Sequence, residues 1–250
     1  MKLLSIGNSF SQDAQRWLAD IAAADGYDLT CTNLLIGGCS LERHAANLLS
    51  GAADYALGQQ GLFTGKHVSL PQGVALDTWD VVTLQQVSDL AGEWDSYEPY
   101  LTQLYSFVRR QAPSARVLFQ ETWAYEMDST HKGFARYDNN QSLMYARVHE
   151  TCQRAAAQCG IDLIPTGTAI QQARRIPAFD YASGGRSLHR DGFHLSWDYG
   201  RYLAGAVWYG TLTGRRVAGN PFVPQTEAGT ADPDLIFALQ QVADAVVFGE

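Results

Sequence analysis

The sequence predicts an α/β fold in which a parallel sheet lies between two layers of helices. Short apolar segments alternate with longer helical segments along the chain, and that alternation favours parallel strands joined by crossover helices. The chain has 250 residues, of which 46% are hydrophobic, so it can bury the core of one large domain. The polar clusters that could carry chemistry directly follow the predicted strands, which is where open α/β sheets bind their ligands.

Five segments have the length and apolar character of buried strands. They cover residues 2–6, 28–36, 80–85, 115–120 and 161–164. The first two segments end at glycines and the third ends at two glutamines. We therefore expect a five-stranded parallel sheet.

The segments between and after these strands have apolar residues at helical spacing. They cover residues 12–24, 41–57, 97–111, 140–158, 168–175, 196–213 and 232–247. Ser11 is expected to cap the first helix, and Gly160 to end the fourth. Residues 58–78 contain several glycines and are predicted to form an irregular insertion or lid. Residues 215–250 are predicted as a C-terminal extension that contains the last helix, within a single domain of residues 1–250.

Charge and hydropathy argue against several classes of partner. The formal net charge is −8, whereas a nucleic-acid-binding protein needs a basic patch. No apolar run approaches the ~20 residues of a membrane span. The second residue already enters the first strand, so we see no signal peptide and expect a cytoplasmic protein unless a leader was removed. The sequence does not predict an oligomeric state.

The histidines and cysteines show no metal-site pattern. The four cysteines lack the paired spacing of a zinc site, and we expect them to be reduced thiols in the core or on helix faces. His44, His67, His131 and His189 show no ligand spacing either. We therefore expect neither a metal ion nor an organic cofactor.

Ser9 directly follows the first strand and is a candidate nucleophile. A serine hydroxyl needs a base within hydrogen-bonding reach and a third group that orients the base. Asp191 and His194 supply these two types and are three residues apart, so they can face the same direction in a turn. Ser9 alone could be a helix cap, and Asp191 alone a turn residue, but their occurrence with His194 favours a catalytic triad.

Attack by Ser9 on an ester would create an oxyanion that needs fixed hydrogen-bond donors. The backbone N–H groups of Ser9 and Gly38 are candidates, because both follow strands. A side-chain amide after the third strand is a further candidate. We prefer Gln86, which lies beyond the strand end, and keep Gln85 as the second choice.

Two aromatic residues, Trp123 and Tyr125, follow the fourth strand and so lie beside the predicted site. They could fill the core, or they could form a platform for a sugar ring or an acyl chain of the substrate. The sequence leaves both interpretations open.

The order of these segments resembles the SGNH (GDSL-like) hydrolase superfamily. In that superfamily a serine, a glycine, an amide and an Asp-x-x-His follow one another in the same order. The chain looks like the DUF4886 branch from residue 1 to about residue 214. The runs that carry this resemblance are Ile6-Gly7-Asn8-Ser9-Phe10-Ser11, Gly37-Gly38-Cys39-Ser40-Leu41, Leu84-Gln85-Gln86, Thr122-Trp123-Ala124-Tyr125 and Asp191-Gly192-Phe193-His194-Leu195-Ser196.

Two positions depart from the superfamily pattern. Asn8 stands where the Gly-Asp-Ser block has aspartate, and an asparagine after the third strand is replaced by glutamine. Asn8 can still brace the turn through hydrogen bonds. The longer glutamine leaves the identity of the third oxyanion donor open.

The resemblance implies a three-layer flavodoxin-like fold and a serine esterase that works through an acyl-enzyme. Its expected substrates are O-acyl esters. Among these we expect O-acetyl esters of carbohydrates, or of other small molecules, before the alternatives. A short-chain acyl thioesterase or lipase-like hydrolase is the alternative enzyme. A flavodoxin-like module that binds a small ligand without catalysis is the alternative from another class.

Overall fold

The computed structural model describes residues 1–249. The strands in this range are Lys2–Gly7 (β1), Thr30–Leu35 (β2), Tyr55–Gln59 (β3), Leu62–Val68 (β4), Val81–Leu84 (β5), Arg116–Gln120 (β6), Asp162–Ile164 (β7), Gln225–Thr226 (β8) and Gly229–Thr230 (β9). The α-helices are Ser9–Gln15 (α1), Leu18–Ala24 (α2), Leu41–Ser50 (α3), Leu70–Val74 (α4), Tyr100–Gln111 (α5), Gln141–Cys159 (α6), Thr166–Ala173 (α7), Tyr199–Thr213 (α8) and Pro233–Phe248 (α9).

Strand β1 lies at the centre of the main sheet, whose order is β4-β3-β2-β1-β5-β6-β7. Strands β2, β1, β5, β6 and β7 are parallel, which confirms the predicted five-stranded parallel sheet. Gly7, the last residue of β1, pairs with Leu35, the last residue of β2. The loops that follow these central strands therefore start from the same edge of the sheet.

Helices cover both faces of the sheet. One layer contains α1, α2, α7, α8 and α9, and the other contains α3, α4, α5 and α6. Helix α8 is buried along almost its whole length. A Cβ on Gly205 would lie 3.3 Å from the backbone nitrogen of Leu18, so this glycine lets α8 pack closely against α2.

None of the helices in residues 1–249 is both long and apolar enough to cross a membrane.

The segment predicted as an irregular insertion, residues 58–78, instead extends the sheet. Strand β3 pairs antiparallel with β2, and β4 pairs antiparallel with β3, so the sheet has seven strands rather than five. The third helix ends at Ser50 rather than at residue 57, because Gly51 adopts a left-handed conformation. Tyr55 is then free to enter a strand, where its side chain is fully buried.

The first helical segment also differs from the prediction. It forms two short helices, because Trp17 leaves helical geometry with φ −110° and ψ 1°. Asn8, not Ser11, caps α1, since the Asn8 side chain accepts a hydrogen bond from the backbone of Phe10. The Ser11 hydroxyl lies instead within hydrogen-bonding distance of the Asn8 carbonyl (2.8 Å) and of Asn33 Oδ1 (3.0 Å).

Candidate active site

Ser9 is the first residue of α1 and is partly exposed at the edge of the sheet. The turn that presents it requires glycine before it. A Cβ on Gly7 would lie 2.3 Å from the Ser11 hydroxyl oxygen, and Ser11 is fully buried and hydrogen-bonded. The tight passage from β1 to α1 therefore depends on the absence of a side chain at Gly7.

The structure brings Ser9, His194 and Asp191 into one hydrogen-bonded chain. Ser9 Oγ lies 2.8 Å from His194 Nε2, and His194 Nδ1 lies 2.7 Å from Asp191 Oδ2. The other Asp191 oxygen accepts hydrogen bonds from the backbone N–H groups of His194 (2.7 Å) and Phe193 (3.2 Å). Gly192, with φ +84°, provides the turn that lets a carboxylate and an imidazole three residues apart face each other.

The hydrogen bonds to Asp191 keep its carboxyl group ionised. Partial burial by itself would raise the pKa of Asp191, but the hydrogen bonds from the His194 side chain and from the two backbone N–H groups outweigh it. The pKa of Asp191 is therefore held below its usual value. An ionised carboxylate on Nδ1 fixes the proton there and leaves Nε2 as an acceptor for the serine proton.

Asp13 attaches the His194 loop to the helix that carries Ser9. It is fully buried in α1. Its Oδ2 accepts hydrogen bonds from the backbone N–H of Leu195 (2.9 Å) and from Arg190 (3.0 Å), and its Oδ1 accepts one from Arg201 Nε (2.8 Å). Because Leu195 directly follows His194, one buried carboxylate fixes the position of His194 relative to Ser9.

Two hydrogen bonds hold the same loop from the other side. Trp123 Nε1 donates to the Phe193 carbonyl at 2.8 Å, and the Glu126 backbone N–H donates to the Gly192 carbonyl at 2.7 Å. The loop is therefore fixed through its backbone on both sides of His194. This arrangement positions the imidazole before any substrate binds.

Trp123 and Tyr125 lie in the core beside the site. Both are fully buried, so neither ring has an exposed face for a substrate, and the structure favours the core-filling interpretation over the substrate platform. The Phe10 ring stacks on Trp123 with the ring centroids 4.1 Å apart, and the Tyr125 hydroxyl lies 2.8 Å from the Ser88 hydroxyl. They fill the core beneath the loop, and Trp123 also positions it.

Asn8 connects the three loops in which the oxyanion donors were predicted. Its Nδ2 donates to the Cys39 carbonyl at 3.1 Å, and its Oδ1 accepts from the Phe10 backbone (3.0 Å) and from Gln85 Nε2 (2.8 Å). The loop of Gly38, which has φ +60°, is thereby tied to the loop of Ser9. Burial raises the pKa of the neighbouring Cys39 thiol to about 12, so that thiol is not a competing nucleophile.

The preference for Gln86 over Gln85 is not supported by the structure. Gln86 Nε2 donates to the Ser96 carbonyl (3.0 Å) and faces the Ser96 hydroxyl (2.9 Å). Gln86 Oε1 accepts hydrogen bonds from the backbone of Leu41 and of Val87. Both ends of the Gln86 amide are therefore used in hydrogen bonds that hold neighbouring loops in place. Gln85 Nε2 instead contacts Asn8, the residue before Ser9, and uses one of its two hydrogens there.

Sequence reasoning missed Asp13, because its partners follow it by more than 170 residues and no local pattern links them. A metal centre is not apparent in the described part of the chain: residues 1–249 contain no group of three or more His, Cys, Asp or Glu side chains placed to hold a metal ion.

Solved structures show what this fold is similar to. A DUF4886 family protein from Bacteroides uniformis ATCC 8492 is 36% identical with a TM-score of 0.90, over 100% of this chain and 95% of that chain. A proposed SGNH hydrolase from Slackia heliotrinireducens is 20% identical with a TM-score of 0.55, over 85% of this chain and 98% of that chain. An acetyl xylan esterase is 17% identical with a TM-score of 0.53, over 83% of this chain and 98% of that chain.

The comparisons also identify the family. No curated protein matches this sequence. Residues 2–235 match the family described as a domain of unknown function, DUF4886. The chain therefore belongs to the DUF4886 family and has the fold of the SGNH hydrolases.

Proposed function

We propose that this protein is a serine hydrolase that cleaves carboxylic esters through an acyl-enzyme. The observation that carries the proposal is the chain of hydrogen bonds from Ser9 Oγ through His194 to Asp191, at 2.8 and 2.7 Å. These distances lie within hydrogen-bonding range for a nucleophile, its base and the group that orients the base. The fold that the chain shares with an esterase and a proposed SGNH hydrolase is consistent with this chemistry.

The proposed reaction starts with transfer of the Ser9 proton to His194 Nε2 as Ser9 Oγ attacks the ester carbonyl carbon. The negative charge on the carbonyl oxygen is stabilised by donors from Ser9 N–H, Gly38 N–H and the free hydrogen of Gln85 Nε2. His194 then gives its proton to the leaving alcohol, and the ester bond breaks. A water molecule, deprotonated by His194, then attacks the acyl-enzyme; the bond to Ser9 Oγ breaks, the carboxylic acid leaves, and His194 returns the proton to Ser9 Oγ.

The substrate that we favour is an O-acetyl ester on a carbohydrate. This choice rests on the likeness to an acetyl xylan esterase and on the partial exposure of the triad, in which the Asp191 side chain is 40% exposed. Such an opening suits a bulky polar alcohol better than a buried apolar acyl chain.

Replacement of Ser9 by alanine tests the reaction. We expect Ser9→Ala to lower kcat for p-nitrophenyl acetate by roughly 10³-fold or more, because the nucleophile is lost. Ser50→Ala, at the end of α3 and away from the triad, is the matched control and should keep the wild-type rate. A fluorophosphonate should label Ser9 in the wild type, as read by mass spectrometry of the peptides. Equal rates for Ser9→Ala and wild type would remove Ser9 from the mechanism.

Acetate release from acetylated oligosaccharides, compared with hydrolysis of acetyl-CoA, tests the substrate class. Faster turnover of the sugar esters supports the carbohydrate proposal. Turnover of acetyl-CoA alone would replace it with the thioesterase alternative while leaving the serine mechanism in place.

A further inference from the structure

Trp197 is a large, exposed aromatic side chain that follows His194 closely in the sequence. It lies three residues after His194 and is 53% exposed. Together with Trp17, Arg16 and Arg201 it lines a cavity of about 650 Å³, to which residues 225–228 at the β8–β9 hairpin also contribute. Nothing in the proposed hydrolysis at Ser9 uses this cavity.

The Trp197 ring is held in place before any ligand binds. Arg201 Cζ lies 4.1 Å from the ring centroid and Arg190 Cζ lies 4.3 Å from it, which is the geometry of cation–π contacts. Both arginines are fixed by the buried Asp13. Trp17 Nε1 also donates to the Trp197 carbonyl at 2.9 Å. A side chain that is already ordered loses little conformational entropy when it binds a ligand.

The lining of the cavity combines an aromatic surface with polar groups. The indole supplies flat apolar area, while Arg16, Gln225, Thr226 and Glu227 supply hydrogen-bond donors and acceptors. A pyranose ring has this same combination, since C–H groups cover one face and hydroxyls surround the rim. A fatty acyl chain has no hydroxyl groups to pair with the polar side chains that line the cavity, such as Thr226 and Glu227.

The position of the cavity relative to Ser9 sets the size of the ligand. Arg16 follows Ser9 by seven residues along α1 and its cap, which is about 10 Å at 1.5 Å per residue. Ser9 and Arg16 are both partly exposed, and a helical separation of seven residues places them on one face. The ligand must therefore extend well beyond the acylated unit that reacts with Ser9.

We propose that the cavity at Trp197 is a subsite for a pyranose unit of an oligosaccharide whose acylated unit lies at Ser9. This inference rests on the proposed ester hydrolysis for the identity of the neighbouring unit. The binding of the sugar itself does not depend on that reaction, so the two proposals fail separately.

Binding is measured first, with Ser9→Ala and three unacetylated probes: xylotetraose, cellotetraose and mannotetraose. We expect at least one of them to bind, as followed by calorimetry and by tryptophan fluorescence. Adding Trp197→Ala should weaken that binding about tenfold or more, and Trp197→Phe should restore part of it because it keeps an aromatic face. Arg16→Ala tests the cavity wall without touching Trp197 and should weaken binding to a smaller extent.

Selectivity is measured next, with Ser9 intact. Trp197→Ala should lower the ratio of kcat/KM for the acetylated tetraose to kcat/KM for p-nitrophenyl acetate by about tenfold, chiefly through KM. Loosening of the His194 loop would instead lower both rates together and leave the ratio unchanged, and that outcome overturns the subsite. The subsite is also overturned if none of the three probes binds, or if Trp197→Ala binds as tightly as its parent. If sugar binding depends on Trp197 but Ser9→Ala hydrolyses p-nitrophenyl acetate normally, the hydrolase proposal fails and the subsite remains.

Discussion

Gln85 and Gln86 have the same side chain, but their amides make hydrogen bonds to different parts of the structure. Gln86 makes hydrogen bonds at both ends of its amide, to the backbone of Leu41 and Val87 and to Ser96. Gln85 is equally buried but contacts Asn8 beside the nucleophile. Of the two, only Gln85 therefore has an amide hydrogen left beside Ser9.

Paired variants separate these two roles. We expect Gln85→Ala to lower kcat for p-nitrophenyl acetate by about 10²-fold, the usual effect of losing one oxyanion donor, with little change in the unfolding midpoint. Gln86→Ala should lower the free energy of unfolding by about 1–3 kcal/mol, because it leaves buried backbone N–H groups without acceptors, and should keep kcat within a few-fold. Urea unfolding and steady-state kinetics on both variants give the answer. The reverse pattern would return the third donor to Gln86.

The sequence alone predicts some residues of the candidate site but not others. Ser9, Asp191 and His194 could be chosen because the serine follows a strand and the other two share a turn. The choice between Gln85 and Gln86 could not be made, because it depends on the partners of each amide, which include Asn8, 77 residues from Gln85, and Leu41, 45 residues from Gln86. Trp123 could not be placed either, since a residue after a strand is equally compatible with the core and with the surface.

The loop of residues 189–196 is the element on which the candidate site depends. Its backbone is fixed by Asp13 on one side and by Trp123 on the other. The Asp191–His194 contact lies within the loop and sets no distance to α1, whereas the side chain of Arg190 and the backbone N–H of Leu195 both bind Asp13 of α1. The Ser9–His194 distance is therefore controlled by residues that do not touch the substrate.

Replacement of Asp13 by asparagine tests this control. Asn keeps the size of Asp but is neutral and has only one acceptor oxygen. It cannot accept all the hydrogen bonds from Leu195, Arg190 and Arg201 or balance the two guanidinium charges, so the loop should lose its fixed position. We expect kcat for p-nitrophenyl acetate to fall about 10–100-fold with KM nearly unchanged, because a small misplacement of the base is costly. Asp20→Asn in the neighbouring helix α2, where the carboxylate is 46% exposed and pairs with Arg16, serves as the matched control.

A purely structural role for Asp13 would give a different result. The free energy of unfolding would then fall while kcat, measured on the folded fraction at low temperature, stayed at the wild-type value. Fluorophosphonate labelling of Ser9 provides a second readout, since its rate reports the activation of the serine directly.

At the scale of the whole molecule, the buried His189 is expected to lower the stability of the fold in acid. His189 is buried, with its Nδ1 3.5 Å from Glu126 Oε2, longer than a normal hydrogen bond. Burial, and to a lesser extent the nearby Arg174, lower the pKa of His189 to about 4, although the Glu126 carboxylate opposes this shift. The imidazole is therefore neutral in the folded protein at neutral pH.

This histidine should destabilise the fold as the pH falls. Below pH ~6.5 the unfolded chain binds a proton at His189 that the folded chain does not bind until about pH 4. The loss develops between these two values and is on the order of 2 kcal/mol at pH 4.5. We expect His189→Leu to lose less unfolding free energy than wild type between pH 7 and pH 4.5, as measured by urea titration. Parallel losses in both proteins would show that His189 does not contribute.

At the scale of the fold, the parallel sheet could be predicted because each strand carries its own apolar run and each helix its own spacing. The β3–β4 hairpin could not. Strand β4 has no buried residue in its span, so it lacks the alternation that identifies a strand, and it is held by pairing with β3 rather than by its own side chains. The division between α1 and α2 also depends on Trp17, whose partner Trp197 lies 180 residues away.

The separation of the candidate triad along the chain has a consequence for folding. Ser9 and His194 are 185 residues apart, and the contact between Asp13 and Arg201 spans 188. Contacts of such long range form late, because closing a long loop costs entropy that local contacts do not. A refolding chain can therefore recover its helices and much of its sheet while still lacking hydrolytic competence. The return of fluorophosphonate reactivity at Ser9 would mark the moment when the last quarter of the chain docks on the first helix.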